Sequence, residues 1–150
     1  MNIDMKRNHC RADIICADAG SYGSVACVLA RSYQPGMHFP GMPYPDNVRT
    51  AQEVENLIRA AGATPATIAI IAGQPCIGLD HDQLELLGKA GTSCRKVSRR
   101  DLLPTIAQGV HGATTVAATM LLAHLAGIHV FVTGGIGVIQ HSPRPDLDIE

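Results

Sequence analysis

The stretch from Lys96 to Gly137 constrains the fold of this chain more than any other part of its sequence. It begins with a dense cluster of cationic residues, continues through an apolar segment of helical length, and ends in a β-branched run. That run stops at Thr133, just before a pair of glycines. Strand, helix, strand and glycine turn in this order are typical of a parallel α/β sheet, whose ligands bind at the carboxyl ends of the strands. We therefore predict an α/β fold with a largely parallel sheet and a site for an anionic small molecule at that edge.

Composition and charge argue against nucleic acid as a partner. The formal net charge of −1 at pH 7 leaves no broad basic surface, so we interpret the local basic cluster as a site. The chain has 3 tyrosines, 2 phenylalanines and no tryptophan, which disfavours a stacking platform for single-stranded nucleic acid. Its 150 residues are enough for one domain with a substantial core.

A membrane span is the alternative interpretation of the apolar segment. No Asp, Glu, Lys or Arg lies between Asp101 and Arg144. A spanning helix needs about 20 apolar residues, whereas Gly112 and Gly127 bound the helical pattern here and a strand pattern follows at once. We therefore predict a buried core helix and no membrane association.

The cysteines indicate an intracellular protein. There are 5 of them, an odd number, and their spacings match neither a CxxC pair nor a zinc module. We interpret them as reduced thiols, which predicts a cytoplasmic location, with the mitochondrion as the alternative. The basic residues near the N-terminus precede no apolar segment, so we expect no secretory signal.

A helix is predicted to begin at Thr50. Thr50 and Glu53 have the spacing of a capping box, in which each side chain accepts a hydrogen bond from the backbone of the other. Gly62 stands where a left-handed residue commonly ends a helix. Glu55 is expected to face solvent. The apolar residues that should face the core recur at i, i+3, i+4 and i+7: Val54, Leu57, Ile58 and Ala61.

Further elements follow from equally local patterns. Residues 67–72 form a nearly continuous apolar run, which predicts a strand buried on both faces. Asp80 and Gln83 have capping-box spacing, so a helix is predicted to follow Asp80. The other predicted elements are strands over 76–79, 94–98 and 128–133, and helices that begin at Asp101 and at the Thr114 and Thr115 pair.

The cationic cluster lies at the end of a predicted strand and just before a predicted helix. It consists of Lys96, Arg99 and Arg100 around Ser98. Unpaired backbone N–H groups and the positive end of the helix dipole favour an anion there, and Lys or Arg adds charge-assisted hydrogen bonds. Two interpretations remain open from these residues alone: a phosphate site, or a solvated cationic turn that pairs with Asp101.

Two threonine-containing segments are candidates for the same ligand. Thr114 and Thr115 begin the apolar helix and either donate their hydroxyls to the anion or act as ordinary caps. Thr133 and the glycines after it either present backbone donors as an anion nest or simply end the strand. The residues alone leave both pairs of alternatives open.

A candidate metal site lies in the last residues of the sequence. The acidic residues there alternate along the chain: Asp146, Asp148 and Glu150. In an extended segment they would point to one side, which suits a hard cation such as Mg²⁺ or Mn²⁺. The alternative is a frayed acidic segment without a ligand.

Several motifs in fixed order resemble a known family. They are Gly41-Met42-Pro43-Tyr44-Pro45, KVSRRDL at 96–102, GATTVAATM at 112–120 and AGIHVFVTGGIG at 126–137. Together they resemble the pseudouridine-5′-phosphate glycosidases, also called the indigoidine synthase A-like family. The resemblance covers residues 41–137 as a core, and it leaves residues 1–40 as a diverged or foreign segment and residues 138–150 as a diverged tail.

The resemblance implies an α/β/α sandwich, a homotrimer and an Mn²⁺ cofactor. Family members reversibly cleave the C–C glycosidic bond of pseudouridine 5′-phosphate to uracil and ribose 5-phosphate, with a lysine nucleophile and a glutamate proton donor. Matching by motif assigns Lys96 to the substrate, the backbone of Val116 to the substrate and Asp148 to the metal. Together with the residues that the strand and helix patterns single out, the predicted substrate-binding set is Lys96, Ser98, Arg99, Thr115, Val116 and Thr133.

The sequence departs from the family at the catalytic positions. Gln34 stands in the register of the proton-donor glutamate, and a glutamine cannot donate a proton in its place. The motif that carries the family's nucleophilic lysine has no counterpart among these residues. We therefore expect the N-terminal half of a pseudouridine-5′-phosphate glycosidase, truncated and inactive alone. The alternatives are a non-catalytic module that binds sugar phosphates or assembles with full-length subunits, and a fragment without function.

Overall fold

The computed structural model describes residues 6–7, 15–17 and 44–131. The strands in these ranges are β1 (Lys6–Arg7), β2 (Ile15–Ala17), β3 (Thr64–Pro65), β4 (Ile68–Ile71), β5 (Gln74–Ile77), β6 (Arg95–Val97), β7 (Gly112–Thr114) and β8 (Val130–Phe131). The helices are α1 (Asp46–Ala60), α2 (His81–Ala90), α3 (Leu102–Ala107) and α4 (Val116–Leu125). The 3₁₀ turns Gly91–Ser93 and Arg99–Asp101 precede β6 and α3.

The strands form two sheets. The five-stranded sheet has the order β1-β5-β4-β7-β6, and the three-stranded sheet has the order β3-β2-β8. All pairings in the smaller sheet are parallel, as are β1 with β5 and β6 with β7. In the larger sheet, β4 runs antiparallel to both of its neighbours. The predicted α/β fold is confirmed, and the larger sheet is mixed.

A tight hairpin explains why β4 runs against its neighbour β5. Ala72 and Gly73 are the only residues between the two strands, and their φ angles are 49° and 77°. Positive φ at both central residues is the signature of a type I′ turn, whose twist matches that of antiparallel strands. A connection this short cannot join parallel strands, which need a crossover of a dozen or more residues.

Helices cover both faces of the larger sheet. Successive side chains of β4 point to opposite faces, and they belong to different hydrophobic clusters. Ile68 and Ile70 pack in the cluster that contains Leu122 of α4, whereas Ala69 packs in the cluster that contains Val48 of α1 and Leu87 of α2. The isoleucines and leucines among these are almost completely buried, and each contributes about 1.5–3 kcal/mol. The architecture is therefore the α/β/α sandwich that the resemblance implied.

The predicted start of α1 is wrong. The helix begins at Asp46, one turn before Thr50, and its N-cap Pro45 makes no side-chain capping hydrogen bond. Thr50 and Glu53 therefore lie inside the helix. Pro45 has φ and ψ of −91° and −1°, already in the right-handed helical region, so the chain enters the helix one turn earlier than the capping-box spacing indicates. The predicted end is confirmed, because Gly62 has a φ of +82°.

The buried face of α1 also differs from the prediction. Leu57 is 70% exposed, whereas Glu55 is only 5% exposed. The Glu55 carboxylate accepts a hydrogen bond from Thr67 Oγ1 at 2.8 Å and another from Arg59 Nη2 at 2.9 Å. These two bonds compensate the desolvation of the carboxylate, so it can be buried. The sheet thus packs on a different side of α1 from the one that its apolar spacing indicates.

Other local predictions are confirmed. Asp80 Oδ1 accepts from the backbone N of Gln83 at 2.8 Å, and Gln83 Oε1 accepts from the backbone N of Asp80 at 3.0 Å, which completes a capping box. The apolar helix α4 ends before Gly127, whose φ is +76°.

Among residues 6–7, 15–17 and 44–131, no helix is both long and apolar enough to cross a membrane.

Candidate functional site

Two parallel strands bring the cationic motif and the threonine motif to one edge of the sheet. Strands β6 and β7 pair in the register Lys96 with Ala113 and Val97 with Thr114. The backbone N of Thr115 donates to the carbonyl of Val97 at 2.9 Å. Ser98 and Thr115 therefore follow directly on the carboxyl ends of neighbouring strands, which is where ligands bind in sheets of this kind.

Strand alternation indicates on which face Lys96 lies. Val97 is fully buried in the cluster under α4. Lys96, the preceding residue, therefore points to the opposite face, where its register partner Ala113 belongs to the cluster with α1 and α2. Its side chain is half-buried. The Lys96 side chain therefore lies on the face of the sheet opposite α4.

Thr115 is the N-cap of α4 and has an unusual hydroxyl. Its φ and ψ of −74° and 172° are those of an extended N-cap residue, yet its side chain makes no capping hydrogen bond. Thr115 is 2% exposed. Among the described residues, its Oγ1 is the one buried side-chain N or O atom without a hydrogen-bond partner. A buried unpaired hydroxyl costs about 1–3 kcal/mol. Such an atom at a helix N-terminus is a candidate contact for a ligand or an ordered water.

The backbone adds donors beside that hydroxyl. The first N–H groups of α4, from Val116 onward, have no acceptor within the helix, as at every helix start. The helix dipole also places partial positive charge there. An anion at this point would therefore meet backbone donors and the Thr115 hydroxyl together.

Ser98 is held by Asp101. Its backbone N and its Oγ both donate to Asp101 Oδ2, at 3.0 Å and 2.7 Å. Ser98 is therefore the N-cap and Asp101 the third residue of the 3₁₀ turn. Asp101 is also the N-cap residue of α3, as predicted, but its side chain makes no capping hydrogen bond to that helix.

Arg99 and Arg100 line a groove outside α3 and α4. The groove has a volume of about 410 Å³, and its other walls are Leu102, Leu103, Leu121 and Leu125. The last two residues lie six to ten positions after Thr115 along α4, which is about 9–15 Å at 1.5 Å per residue. The groove is therefore displaced from the Thr115 edge, and the role of Arg99 in substrate binding stays a prediction.

A second polar cluster on α2 was not predicted. Tyr44 Oη donates to Glu85 Oε1 at 2.6 Å, and Lys89 Nζ lies 3.2 Å from the same oxygen and 5.6 Å from the centre of the Tyr44 ring. The hydrogen bond to the carboxylate raises the pKa of Tyr44 and lowers the pKa of Glu85. The pKa of Lys89 is raised, chiefly by its contact with Glu85. Tyr44 and Glu85 are 41 positions apart, so no local pattern signals this contact.

Some predicted site residues lie outside the described ranges. These are Thr133 and Asp148, together with Gln34. Within residues 6–7, 15–17 and 44–131, no group of three or more His, Cys, Asp and Glu side chains could hold a metal ion. The assignment of Mn²⁺ to Asp148 therefore stays a prediction.

Sequence comparison finds close relatives over most of the chain. Pseudouridine-5′-phosphate glycosidases from Cupriavidus pinatubonensis and Escherichia coli K12 are 58% and 55% identical over 109 residues, and the one from Arabidopsis thaliana is 50% identical. Each match covers 73% of this chain. The same matches cover 34%, 35% and 33% of those proteins, so the chain spans about a third of their length.

Structure comparison agrees. The prealnumycin C-glycosynthase AlnA, solved in complex with ribulose 5-phosphate, is 31% identical with a TM-score of 0.63, over 91% of this chain and 38% of that one. An indigoidine synthase A-like protein from Thermotoga maritima is 26% identical with a TM-score of 0.67, over 94% and 46% of the two chains. The profile of the family described as indigoidine synthase A like protein matches residues 37–150. With the sandwich fold and the GATTV motif at the sheet edge, these matches show that the chain belongs to the indigoidine synthase A-like family.

Proposed function

We propose that this chain carries the phosphate-binding edge of a pseudouridine-5′-phosphate glycosidase. The observation that carries the proposal is the buried Thr115 hydroxyl without a partner at the N-terminus of α4. The first N–H groups of α4 follow directly after this hydroxyl, and Lys96 lies on the neighbouring strand β6, on the face opposite α4. A phosphate group at this edge would accept hydrogen bonds from the Thr115 hydroxyl and the α4 N–H groups, would meet the positive end of the helix dipole, and would be reached by the long Lys96 side chain across the sheet edge.

The relatives support a phosphorylated pentose as the ligand. Those with 50–58% identity are named pseudouridine-5′-phosphate glycosidases, and the C-glycosynthase neighbour was solved with ribulose 5-phosphate. The shared chemistry of these ligands is a five-carbon sugar with a phosphate ester. In the proposed role, this chain's residues bind the phosphate and orient the sugar, and the products of the whole enzyme would be uracil and ribose 5-phosphate.

Phosphate contributes most of the binding in this proposal. One charge-assisted hydrogen bond contributes about 1.5–3 kcal/mol, which is a factor of about 10–150 in affinity. Calorimetric titration with ribose 5-phosphate and with ribose measures the difference directly. We expect the chain to prefer ribose 5-phosphate, and we expect Lys96→Ala to remove about this much of the preference.

Lys89→Ala is the matched control for the titration. It removes the same charge from an exposed position on α2, where the lysine is paired with Glu85. If the preference depends on the local site, Lys89→Ala keeps it; if it reflects only total charge, both variants lose it equally. Equal affinity of the unmodified chain for ribose and ribose 5-phosphate would refute the proposed function.

The finer features that the resemblance implies are part of the proposal. They are Mn²⁺ held through Asp148, a homotrimer, and a cytoplasmic or mitochondrial location. A titration with Mn²⁺ followed by water proton relaxation, compared with Asp148→Asn, tests the metal. Hard cations prefer carboxylate oxygens, so Asp148→Asn should weaken Mn²⁺ binding.

Sedimentation equilibrium tests the trimer, since a trimer has three times the 15.8 kDa mass of one chain.

A further inference from the structure

A chain of hydroxyl groups connects α4 to the sheet beneath it. Thr119 Oγ1 donates to Thr114 Oγ1 at 2.8 Å, and Thr114 Oγ1 donates to the carbonyl of Ile68 at 2.6 Å. Thr114 and Thr119 are 0% and 1% exposed. These bonds join the start of α4 to β7 and then to β4. The link lies next to Thr115 in both sequence and space.

Thr119 does not use the acceptor that is nearest to it. A threonine inside a helix commonly donates its hydroxyl to the carbonyl four residues earlier. Thr105 of α3 does so, since its Oγ1 donates to the carbonyl of Asp101 at 2.6 Å. For Thr119 the equivalent carbonyl, that of Thr115, accepts from the backbone N of Thr119 at 2.8 Å. The Thr119 hydroxyl bonds across to the strand instead, which restrains the helix against the sheet.

We propose that Thr119 is a positioning residue of the anion site and that it acts through Thr114. The inference rests on the proposed function, because the site it positions is the phosphate site at Thr115. The donors of that site belong partly to α4 and partly to the strand ends of β6 and β7. Their mutual geometry is therefore set by where α4 lies on the sheet, which is what the bond from Thr119 to Thr114 restrains.

Binding measurements provide the first test. Thr119→Val keeps the branched shape but removes the donor, and Thr119→Ser keeps the donor. Thr105→Val is the matched control, because Thr105 is also buried but its hydroxyl bonds only within its own helix. In calorimetry with ribose 5-phosphate and with inorganic phosphate, Thr119→Val should weaken binding about tenfold, by analogy with the loss of an outer hydrogen bond that supports a metal ligand. Thr119→Ser should restore the affinity, and Thr105→Val should leave it unchanged.

Two results of the titration would overturn the inference. One is wild-type affinity in Thr119→Val. The other is an equal loss in Thr105→Val and Thr119→Val, which would show that any lost buried hydroxyl weakens binding through general destabilisation.

A ligand-free measurement separates this inference from the proposed function. Backbone ¹⁵N relaxation gives order parameters for Val116, Ala117 and Ala118, which should be near the rigid value of about 0.85 in the unmodified chain. We expect them to fall in Thr119→Val and to stay unchanged in Thr105→Val. If the unmodified chain binds neither ligand, the proposed function fails, and the order parameters alone decide the positioning role. Unchanged order parameters in Thr119→Val would then refute it.

Discussion

Two adjacent threonines should respond in opposite ways to the same substitution. Thr115→Val removes a buried hydroxyl that has no partner, so the free energy of unfolding should rise by about 1–3 kcal/mol. Thr114→Val removes a hydroxyl that donates to Ile68 and accepts from Thr119. That change leaves two buried groups unpaired, so the free energy of unfolding should fall by about 1–3 kcal/mol. Both positions are buried and both changes replace a hydroxyl with a methyl group, so each variant is the control for the other.

Urea unfolding followed by circular dichroism measures these changes. A shift of the midpoint at constant slope reports stability, whereas a changed slope reports an altered denatured or native state. Ligand adds a second comparison: ribose 5-phosphate at 100 times its Kd should raise the stability of the unmodified chain by about 2.7 kcal/mol. Thr115→Val should gain less at the same concentration, because the hydroxyl that would bind phosphate is gone. The variant would thus be the more stable protein without ligand and the weaker binder.

One result would refute this reasoning. Loss of a threonine N-cap hydrogen bond typically costs about 1 kcal/mol. If Thr115→Val is destabilised by that amount, the hydroxyl caps α4 in solution and is not an unpaired atom. The observation that carries the proposed function would then be lost, whatever the affinity for sugar phosphates.

Further predictions concern the hairpin, the cluster on α2 and catalysis. Gly73→Ala should destabilise the chain more than Gly62→Ala in urea unfolding: both φ angles are positive, but a Cβ on Gly73 would lie 2.7 Å from Gly109 Cα, whereas Gly62 has nothing within 4 Å. If both variants lost the same free energy of unfolding, about 1–2 kcal/mol from the positive φ alone, the predicted difference between Gly73 and Gly62 would be wrong. In an absorbance titration, the Tyr44 phenol should ionise above its usual pKa of 10.0. Glu85→Gln should lower the pH midpoint of this ionisation, since a neutral amide does not repel the phenolate. Because the pKa is raised in the fold, the stability due to this bond is present below pH 10 and is lost as the pH rises further; a midpoint that Glu85→Gln leaves unchanged would contradict the assignment. When the chain is incubated with pseudouridine 5′-phosphate and Mn²⁺, no uracil should be released, and mass spectrometry after borohydride reduction should detect no sugar adduct on a lysine. Covalent catalysis requires a positioned nucleophile. A stoichiometric sugar adduct would contradict this expectation.

Local sequence determined the parts of the fold that depend on neighbouring residues. The capping box of Asp80 and Gln83 and the left-handed Gly62 follow from residues that touch within one turn of chain. Strand β4 follows from a short apolar, β-branched run. The placement of Ser98 and Thr115 at one edge was also predictable in outline, because each follows a short strand pattern and a parallel sheet brings such strand ends together.

Tertiary structure decided which groups are paired. Glu55 is buried because Thr67 and Arg59 reach its carboxylate, and nothing in the helical period of α1 indicates this. The Thr115 hydroxyl is unpaired while the Thr114 hydroxyl beside it has two partners, since only Thr114 lies under α4 within reach of Ile68 and Thr119. Hydrogen bonding depends on distances of about 3 Å between groups from distant parts of the chain. Periodicity specifies which face of an element is apolar, but the relative placement of the elements determines which polar atom finds a partner and which is left unpaired.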